Sequence, residues 1–334
     1  MNKTLVVTVT LLTSISALTT TSYASTMGAA KASQANDPVL VEAAKKINSD
    51  MTVNLPPKGF DPLTATEQEL RQYGFPPKPK DSTELKVWED HMKQAKEFVF
   101  PNLSVEPLKK TAAYYDSNIW SGYIASAGYD GWYSKVAGGW TVPTVTSSTQ
   151  DSDAACWVGL GGQQSRLLIQ AGTISEATTH WLSSTTSTNY AFWEMLPSYP
   201  SVQKITGLPV SPGQLIYTHI NYVSNGAEFY VQNQSTGQYT SFVMGNAAQN
   251  YDGNTAEWIM ERTTSNKTAT ALANFSYNNY NSSFAGTNSV SKSAGAWSAA
   301  AFRMFNTGTN KQLAHPGALD SAGTNFTVFW DNYL

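Results

Sequence analysis

The chain has 334 residues, with charged side chains at only 13% and aromatic ones at 12%, among them 10 Trp and 17 Tyr. A net charge of -3 with no Lys/Arg block excludes an electrostatic nucleic-acid binder, and one Cys with four scattered His excludes a disulfide scaffold or a zinc cluster with ligand spacing. The length suffices for one large or two medium domains with a real hydrophobic core.

Residues 1–26 place one Lys ahead of an apolar stretch from Leu5 to Leu18 and end near Ser22-Tyr23-Ala24, an A-x-A-like cleavage site. This is the layout of a secretory signal peptide over 1–24, and its apolar run is too short and too rich in Thr and Ser to span a membrane. The expected product is secreted, extracellular and free of the membrane once the signal is cleaved. With Cys156 alone it forms no internal disulfide.

Residues 25–110 carry 12 Lys/Arg and 12 Asp/Glu, against 8 and 12 over the much longer stretch 111–334. Apolar residues recurring at three and four predict helices over Pro38–Asn48, Ala65–Tyr73 and Ser82–Phe98, separated by Pro-rich breaks at Pro56-Pro57 and Pro76–Pro79. A charged, helical, Pro-broken segment between a signal peptide and a β domain reads as a propeptide, with Lys109-Lys110 as a processing neighbourhood; an ordinary N-terminal helical domain is the alternative.

From residue 111 the chain becomes rich in Ser, Thr, Asn and Gly, with short alternating runs. Strands are predicted at Gly139–Val142, Ala155–Leu160, Leu167–Gln170, Tyr190–Met195, Leu215–Tyr222, Glu228–Gln232, Thr255–Glu261, Ala300–Phe305 and Phe326–Trp330. Turn residues between them give the pattern of an all-β sandwich.

The chain has no H-E-x-x-H, no G-x-S-x-G and no phosphate loop, and Cys156 sits before Trp157 in an apolar run, as a buried strand thiol would. Carboxylates are informative because they are few. Glu257 and Glu261 lie four apart on one predicted strand and so share a face, with Trp258 and Met260 on the other; Glu194 lies in an equally aromatic run. They suit either general acid–base work or the solvent side of amphipathic strands. Gln170 is a polar intruder ending Leu167-Leu168-Ile169, fit to bond a neighbouring strand or to donate to an oxyanion.

In order along the chain, Ser117–Gly122, Gly139–Pro143, Trp157–Gly161, Leu168–Gly172, Phe192–Pro197 and Ala256–Glu261 resemble the motifs of the glutamic peptidases, the eqolisin family of acid proteases. The resemblance covers roughly 117–334. It implies a sandwich of two curved antiparallel sheets, concanavalin- or jelly-roll-like, as the catalytic domain over 111–334. It places a catalytic Gln at Gln170 and a catalytic Glu at Glu261, with Trp157 lining the site and Glu194 and Glu257 as supporting or substrate-binding acids. It implies an endopeptidase that is insensitive to pepstatin and needs no metal or other cofactor, acts as a monomer on protein or peptide substrates, and is made as a zymogen whose propeptide inhibits or chaperones it. Two departures stand out: Gly161 and Ile174 occupy positions where the characterised fungal members carry Asp, and the absence of disulfides points to a bacterial source. The rival reading is a carbohydrate-active β-sandwich, with Glu194 and Glu261 as a closely spaced acid and nucleophile.

Overall fold

A computed structural model of the chain describes residues 38–104, 118–127, 131–147, 150–163, 165, 167–179, 185–246, 248–265 and 268–334. Residues 1–24, read above as a signal peptide, and Lys109-Lys110, Ser117 and His180 lie outside them. The chain divides into two compact units, 1–49 and 50–334. Of the first, the described part is helix α1, Pro38–Asp50, which opens on a proline whose missing N–H has no intrahelical partner to lose.

The second unit begins with β1 (Met51–Thr52), α2 (Glu67–Gln72), α3 (Ser82–Gln94), β2 (Glu97–Phe98) and β3 (Leu103–Ser104). Thr66 and Glu69 form a reciprocal capping box that starts α2, and the Asp81 carboxylate caps α3 by accepting from the Thr83 and Glu84 N–H groups. The predicted helix over Ser82–Phe98 is shorter than the pattern suggested. Ala95 adopts extended backbone as the C-cap, and Glu97–Phe98 leave as a strand pairing in parallel with the sheet.

The remaining strands are β4 (Trp120–Ser126), β5 (Lys135–Thr141), β6 (Ser152–Gly161), β7 (Leu168–Thr179), β8 (Thr185–Leu196), β9 (Tyr199–Ile205), β10 (Leu215–Val223), β11 (Gly226–Asn233), β12 (Gln238–Met244) and β13 (Thr255–Glu261). They continue with the short β14 (Thr264–Ser265), β15 (Thr268–Ala269) and β16 (Ala271–Leu272), then β17 (Tyr277–Gly286), β18 (Ser291–Ser293), β19 (Ala300–Phe302), β20 (Met304–Asn306), β21 (Lys311–Pro316) and β22 (Phe326–Trp330). Two large sheets result among the described residues. One runs β1-β12-β11-β10-β5-β17-β22-β21-β20 and the other β19-β4-β13-β6-β7-β8-β9-β3, with neighbours almost entirely antiparallel. This is the β-sandwich that the alternating runs predict.

The run Ala300–Phe305 is not one strand. It breaks at Arg303, so that Ala300–Phe302 pair with β4 in one sheet while Met304–Asn306 pair with β21 in the other. An alternating pattern cannot reveal such a crossing, because each short piece alternates correctly within its own sheet.

Large aromatic side chains fill the space between the sheets. Trp193 packs against Phe229 and Phe242, the Trp258 indole donates to the Ala137 carbonyl, Trp140 donates to the Thr173 hydroxyl, and the Tyr280 hydroxyl donates to the Ile259 carbonyl. The polar tips of Trp258, Trp140 and Tyr280 are paired in this way, whereas the Trp193 indole nitrogen has no hydrogen-bond partner. Cys156 is fully buried here too, and burial pushes its thiol up to about 12, so it is an inert core residue as expected. Since Trp193, Trp258 and Cys156 point inward, their strand neighbours Phe192, Glu194, Glu257 and Trp157 point to the outer face of the second sheet.

The outer face of the first sheet is covered by the segment containing α2 and α3. Leu70, Phe75, Trp88 and Met92 are buried against Ala137, Tyr217, Tyr230 and Tyr239. Along α3 the buried residues Glu84, Trp88, His91 and Met92 follow one another at helical spacing, which turns a single face of the helix to the sheet. The same segment adds β1 and β2 beside β12 and β3 beside β9.

Candidate active site

Register alone assembles the site. On the outer face of the second sheet, three cross-strand rows run over β4, β13, β6, β7 and β8. The first is Ile124–Glu257–Gly159–Gln170–Glu194, the second Gly122–Ile259–Trp157–Gly172–Phe192, the third Trp120–Glu261–Ala155–Ile174–Tyr190. All five predicted site residues, Gln170, Glu261, Trp157, Glu194 and Glu257, therefore share one face, and all are fully buried.

Trp157 stands at the centre of this grid, ringed by small residues. A Cβ on Gly172 would lie 2.7 Å from the Trp157 Cα and 2.0 Å from the Cys156 carbonyl oxygen, so only glycine permits the two strands to approach here. A Cβ on Gly159 would lie 2.7 Å from Trp157 Cζ3, so the benzo ring of the indole occupies the space that a side chain at 159 would take. Trp120 packs edge-on against Trp157 with centroids 4.9 Å apart. The surrounding apolar residues Ile119, Ile124, Leu168, Ile174, Phe192 and Ile259 form the floor.

Two hydrogen bonds fix the polar groups. The Trp157 indole N–H donates to Glu261 Oε2 at 2.8 Å, and Gln170 Nε2 donates to Glu194 Oε2 at 2.7 Å. An indole nitrogen can only donate, so it holds the Glu261 carboxyl as an acceptor. Glu194, directly across from Gln170 in register, sets the Gln170 amide with its nitrogen toward β8. One of the two N–H protons is used, and the second is left for another acceptor. Among the described residues no hydrogen bond joins the two pairs. Two strands and four residues separate Gln170 from Glu261, ~16 Å between Cα positions in a flat sheet, with Trp157 on the diagonal. The two groups meet through what lies between them, as a water and a substrate carbonyl would.

Glu257 differs from the others. Both of its carboxyl oxygens lack a hydrogen-bond partner, and burial pushes its carboxyl well above the usual carboxylate range. Glu194 and Glu261 lie three strands and four residues apart, each tied to a different partner, and do not form the closely spaced pair that a retaining glycosidase uses.

The two departures from the fungal pattern also have a place in the structure. Gly161 has φ +82°, and a Cβ there would lie 2.4 Å from the Leu167 carbonyl oxygen, so the turn leaving β6 is built for glycine and has no room for Asp. Ile174 is buried in the apolar floor, in the same row as Glu261. Glu176, two residues on, accepts from the Tyr190 hydroxyl at 2.8 Å. Tyr190 lies at the end of the Glu261 row and was not singled out from sequence; its place depends on pairing between β7 and β8, which no local motif records. Among the described residues no group of three or more His, Cys, Asp or Glu gathers as metal ligands do.

Comparison with known proteins agrees with this geometry. Residues 118–326 match the Peptidase A4 family. No curated protein matches the sequence. Among solved structures the fold is similar to scytalido-glutamic peptidase with a peptide-based transition-state analogue, at 18% identity and a TM-score of 0.52, covering 64% of this chain and 98% of that one. It is also similar to SCP-B, a member of the eqolisin family in complex with the tripeptide Ala-Ile-His, at 18% identity, the same coverages and a TM-score of 0.50. The match to the family spans well over half of the chain and includes every strand of the three rows, so the chain belongs to the Peptidase A4 family, the eqolisins, and is a glutamic peptidase.

Proposed function

We propose that the protein is a secreted acid endopeptidase, made as a zymogen, in which Glu261 and Gln170 carry the reaction. The observation that supports this most is the pair of oriented groups on one buried face: a carboxyl held by the Trp157 indole and an amide held by Glu194. Glu261, ionised, holds a water and takes one of its protons as the oxygen attacks the scissile carbonyl. The second N–H of Gln170 donates to the oxyanion of the tetrahedral intermediate, a kind of contact worth about 3 kcal/mol. The intermediate collapses, the C–N bond breaks, and Glu261 passes its proton to the leaving amine, so that the carboxylate is restored. No covalent enzyme intermediate is needed.

The charge distribution supports an acid habitat. With 8 Lys/Arg against 12 Asp/Glu over 111–334, protonating the acids leaves few like charges to repel one another. The zymogen reading rests on the jump in charge density at residue 110 and on the signal-like start. Residues 60–98 pack on the sheet opposite the site, which favours a folding-support role for 50–104.

The test is hydrolysis of a protein substrate from pH 2 to 7 after acid activation, with pepstatin present. Glu261→Gln and Gln170→Ala are each expected to lower kcat by about 10²–10³ with unchanged melting temperature. Full activity in Glu261→Gln would remove it as the base.

A further inference from the structure

We propose that the carboxyl of Glu257 and the side-chain carbonyl of Gln170 hold the main chain of the substrate from the two sides of Trp157. This rests on the reading of Gln170 and Glu261 as the reacting pair, and gives Glu257 a binding role beside them.

Three polar atoms carry the proposal: both carboxyl oxygens of Glu257 and Oε1 of Gln170. All three are buried without a hydrogen-bond partner, in residues with no measurable exposure. Groups of this kind are normally paired and leaving them unpaired is costly; others occur elsewhere in the fold, but these three sit together on the face that carries Trp157 and Glu261. Register sets them on the two neighbours of Gly159, with Glu257 on one side and Gln170 on the other. The Trp157 benzo ring lies over Gly159 between them, and Ile124 closes the far side of Glu257.

An extended peptide crossing that ring presents N–H and C=O groups in turn. A protonated carboxyl can donate to a substrate carbonyl, while Gln170 Oε1 can accept from a substrate N–H. An ionised Glu257 could not donate and would face the carbonyl with like partial charge. Burial favours the protonated form, the Asp252 charge favours it further, and the Thr255 hydroxyl, near but outside hydrogen-bond geometry, offsets part of this. Among the groups around it, Tyr251 and Asp252 face Glu257 from the loop before β13, and Glu261 follows on its own strand. β4 and β6 present only Ile124 and Gly159, and Gln170 stands between it and Glu194. Because the contacts are to backbone, this subsite would secure any sequence and leave selectivity to the rest of the cleft.

The experiment is steady-state kinetics of the acid-activated enzyme on one peptide substrate from pH 2.5 to 7, for wild type, Glu257→Gln and Glu257→Leu, with thermal melts of each. The wild-type KM is expected to hold its acid value for as long as Glu257 stays protonated and to rise only where it ionises. Glu257→Gln keeps a donor and should hold KM flat, near the wild-type acid value. Glu257→Leu should raise KM about tenfold at every pH, with kcat within about threefold. Equal KM in all three proteins, a Gln variant as impaired as the Leu one, or a loss that falls on kcat or melting temperature alone would overturn the proposal. If Glu257→Leu does not fold, the two remaining proteins decide: a Gln variant whose KM is raised about tenfold at acid pH, where both carry a donor, overturns it. A wild type inactive at every pH is instead a failure of the peptidase reading, visible before any variant is compared.

Discussion

The two outer faces of the sandwich both bury ionisable groups, yet they cover them differently. On the site face, Glu257 has no partner for either oxygen, and Gln170 keeps a free carbonyl. On the other face, several groups are paired, by neighbouring strands or by α3. Asn221 donates to Glu228 at 3.0 Å, His91 Nε2 bonds the Ser282 hydroxyl at 3.0 Å, the His91 ring stacks on Tyr217 with centroids 3.8 Å apart, and Gln232 donates to the His91 carbonyl. The covered face also keeps atoms without partners, Glu84 Oε2, the Tyr230 hydroxyl and Gln232 Oε1; what differs is that a helical segment of the same chain supplies its cover and part of its pairing.

The largest effect that separates the faces is on stability. Trp88 is almost fully buried on the covered face and its indole donates to the Pro76 carbonyl at 3.0 Å. Trp88→Ala leaves a cavity and an unpaired carbonyl, and should cost about 3–5 kcal/mol, or roughly 10 °C in melting temperature. On the site face the catalytic substitutions should leave melting unchanged while activity falls. A melt of each variant beside its kcat checks both halves. A Trp88→Ala protein that melts like the wild type would mean that the covering segment adds little to the fold.

Acid should act on the covered face in two directions. Burial lowers His91 to about 4 and His219 to about 3, the nearby Asp90 pulling His91 up and Lys135 pushing His219 further down. Their neutral forms are favoured in the folded protein, so this contribution is fully present above pH 6.5 and is lost as pH falls through about 4 and 3. Glu228 runs the other way. Burial raises it to about 7 against the pull of Asn221 and Arg71, so its contribution is present below about 4.5 and lost as pH rises through about 7. Melting temperature measured from pH 3 to 8 should therefore be flattened on its acid side by His91→Gln and on its neutral side by Glu228→Gln. Each tenfold change in proton affinity is worth about 1.4 kcal/mol, so each variant should remove about 3 kcal/mol of pH dependence. Unchanged slopes would show that both groups are hydrated in solution.

How far the two faces can be read from sequence follows the same division. Glu257 and Glu261 declare themselves by being rare carboxylates four apart on a β pattern, and Gln170 by ending an apolar run; both signals are local. That Glu194 lies across from Gln170, or that Trp157 sits between Gln170 and Glu261, depends on register between strands, which local patterning does not encode. Strands β9 and β17, Tyr199–Ile205 and Tyr277–Gly286, escape prediction because Pro200 interrupts the first and a run of Asn and Ser erases alternation in the second, where Ser282 sits at φ +56° within a bulge against β5. The helices α2 and α3 are legible from spacing and caps. Their burial on Tyr217, Tyr230 and Tyr239 is not, since those tyrosines also fit an exposed strand face.

The smallest effect probes whether local helix signals matter once that face is packed. The Thr66 hydroxyl accepts from the Glu69 N–H at 3.2 Å while Glu69 Oε2 accepts from the Thr66 N–H at 2.8 Å. Glu69 is held below the usual carboxylate range by these bonds, so the box is intact at neutral pH and weakens as Glu69 protonates. α2 spans only six residues and would not persist alone; it depends on burying Leu70 against the sheet. Thr66→Ala should therefore cost about 1 kcal/mol, a drop of roughly 2–4 °C, and less in acid than at neutral pH. If the loss approached that of Trp88→Ala, helix initiation rather than tertiary packing would govern how the segment grips the sheet, and the contrast between the covered face and the site face would lie in local propensity instead of in burial.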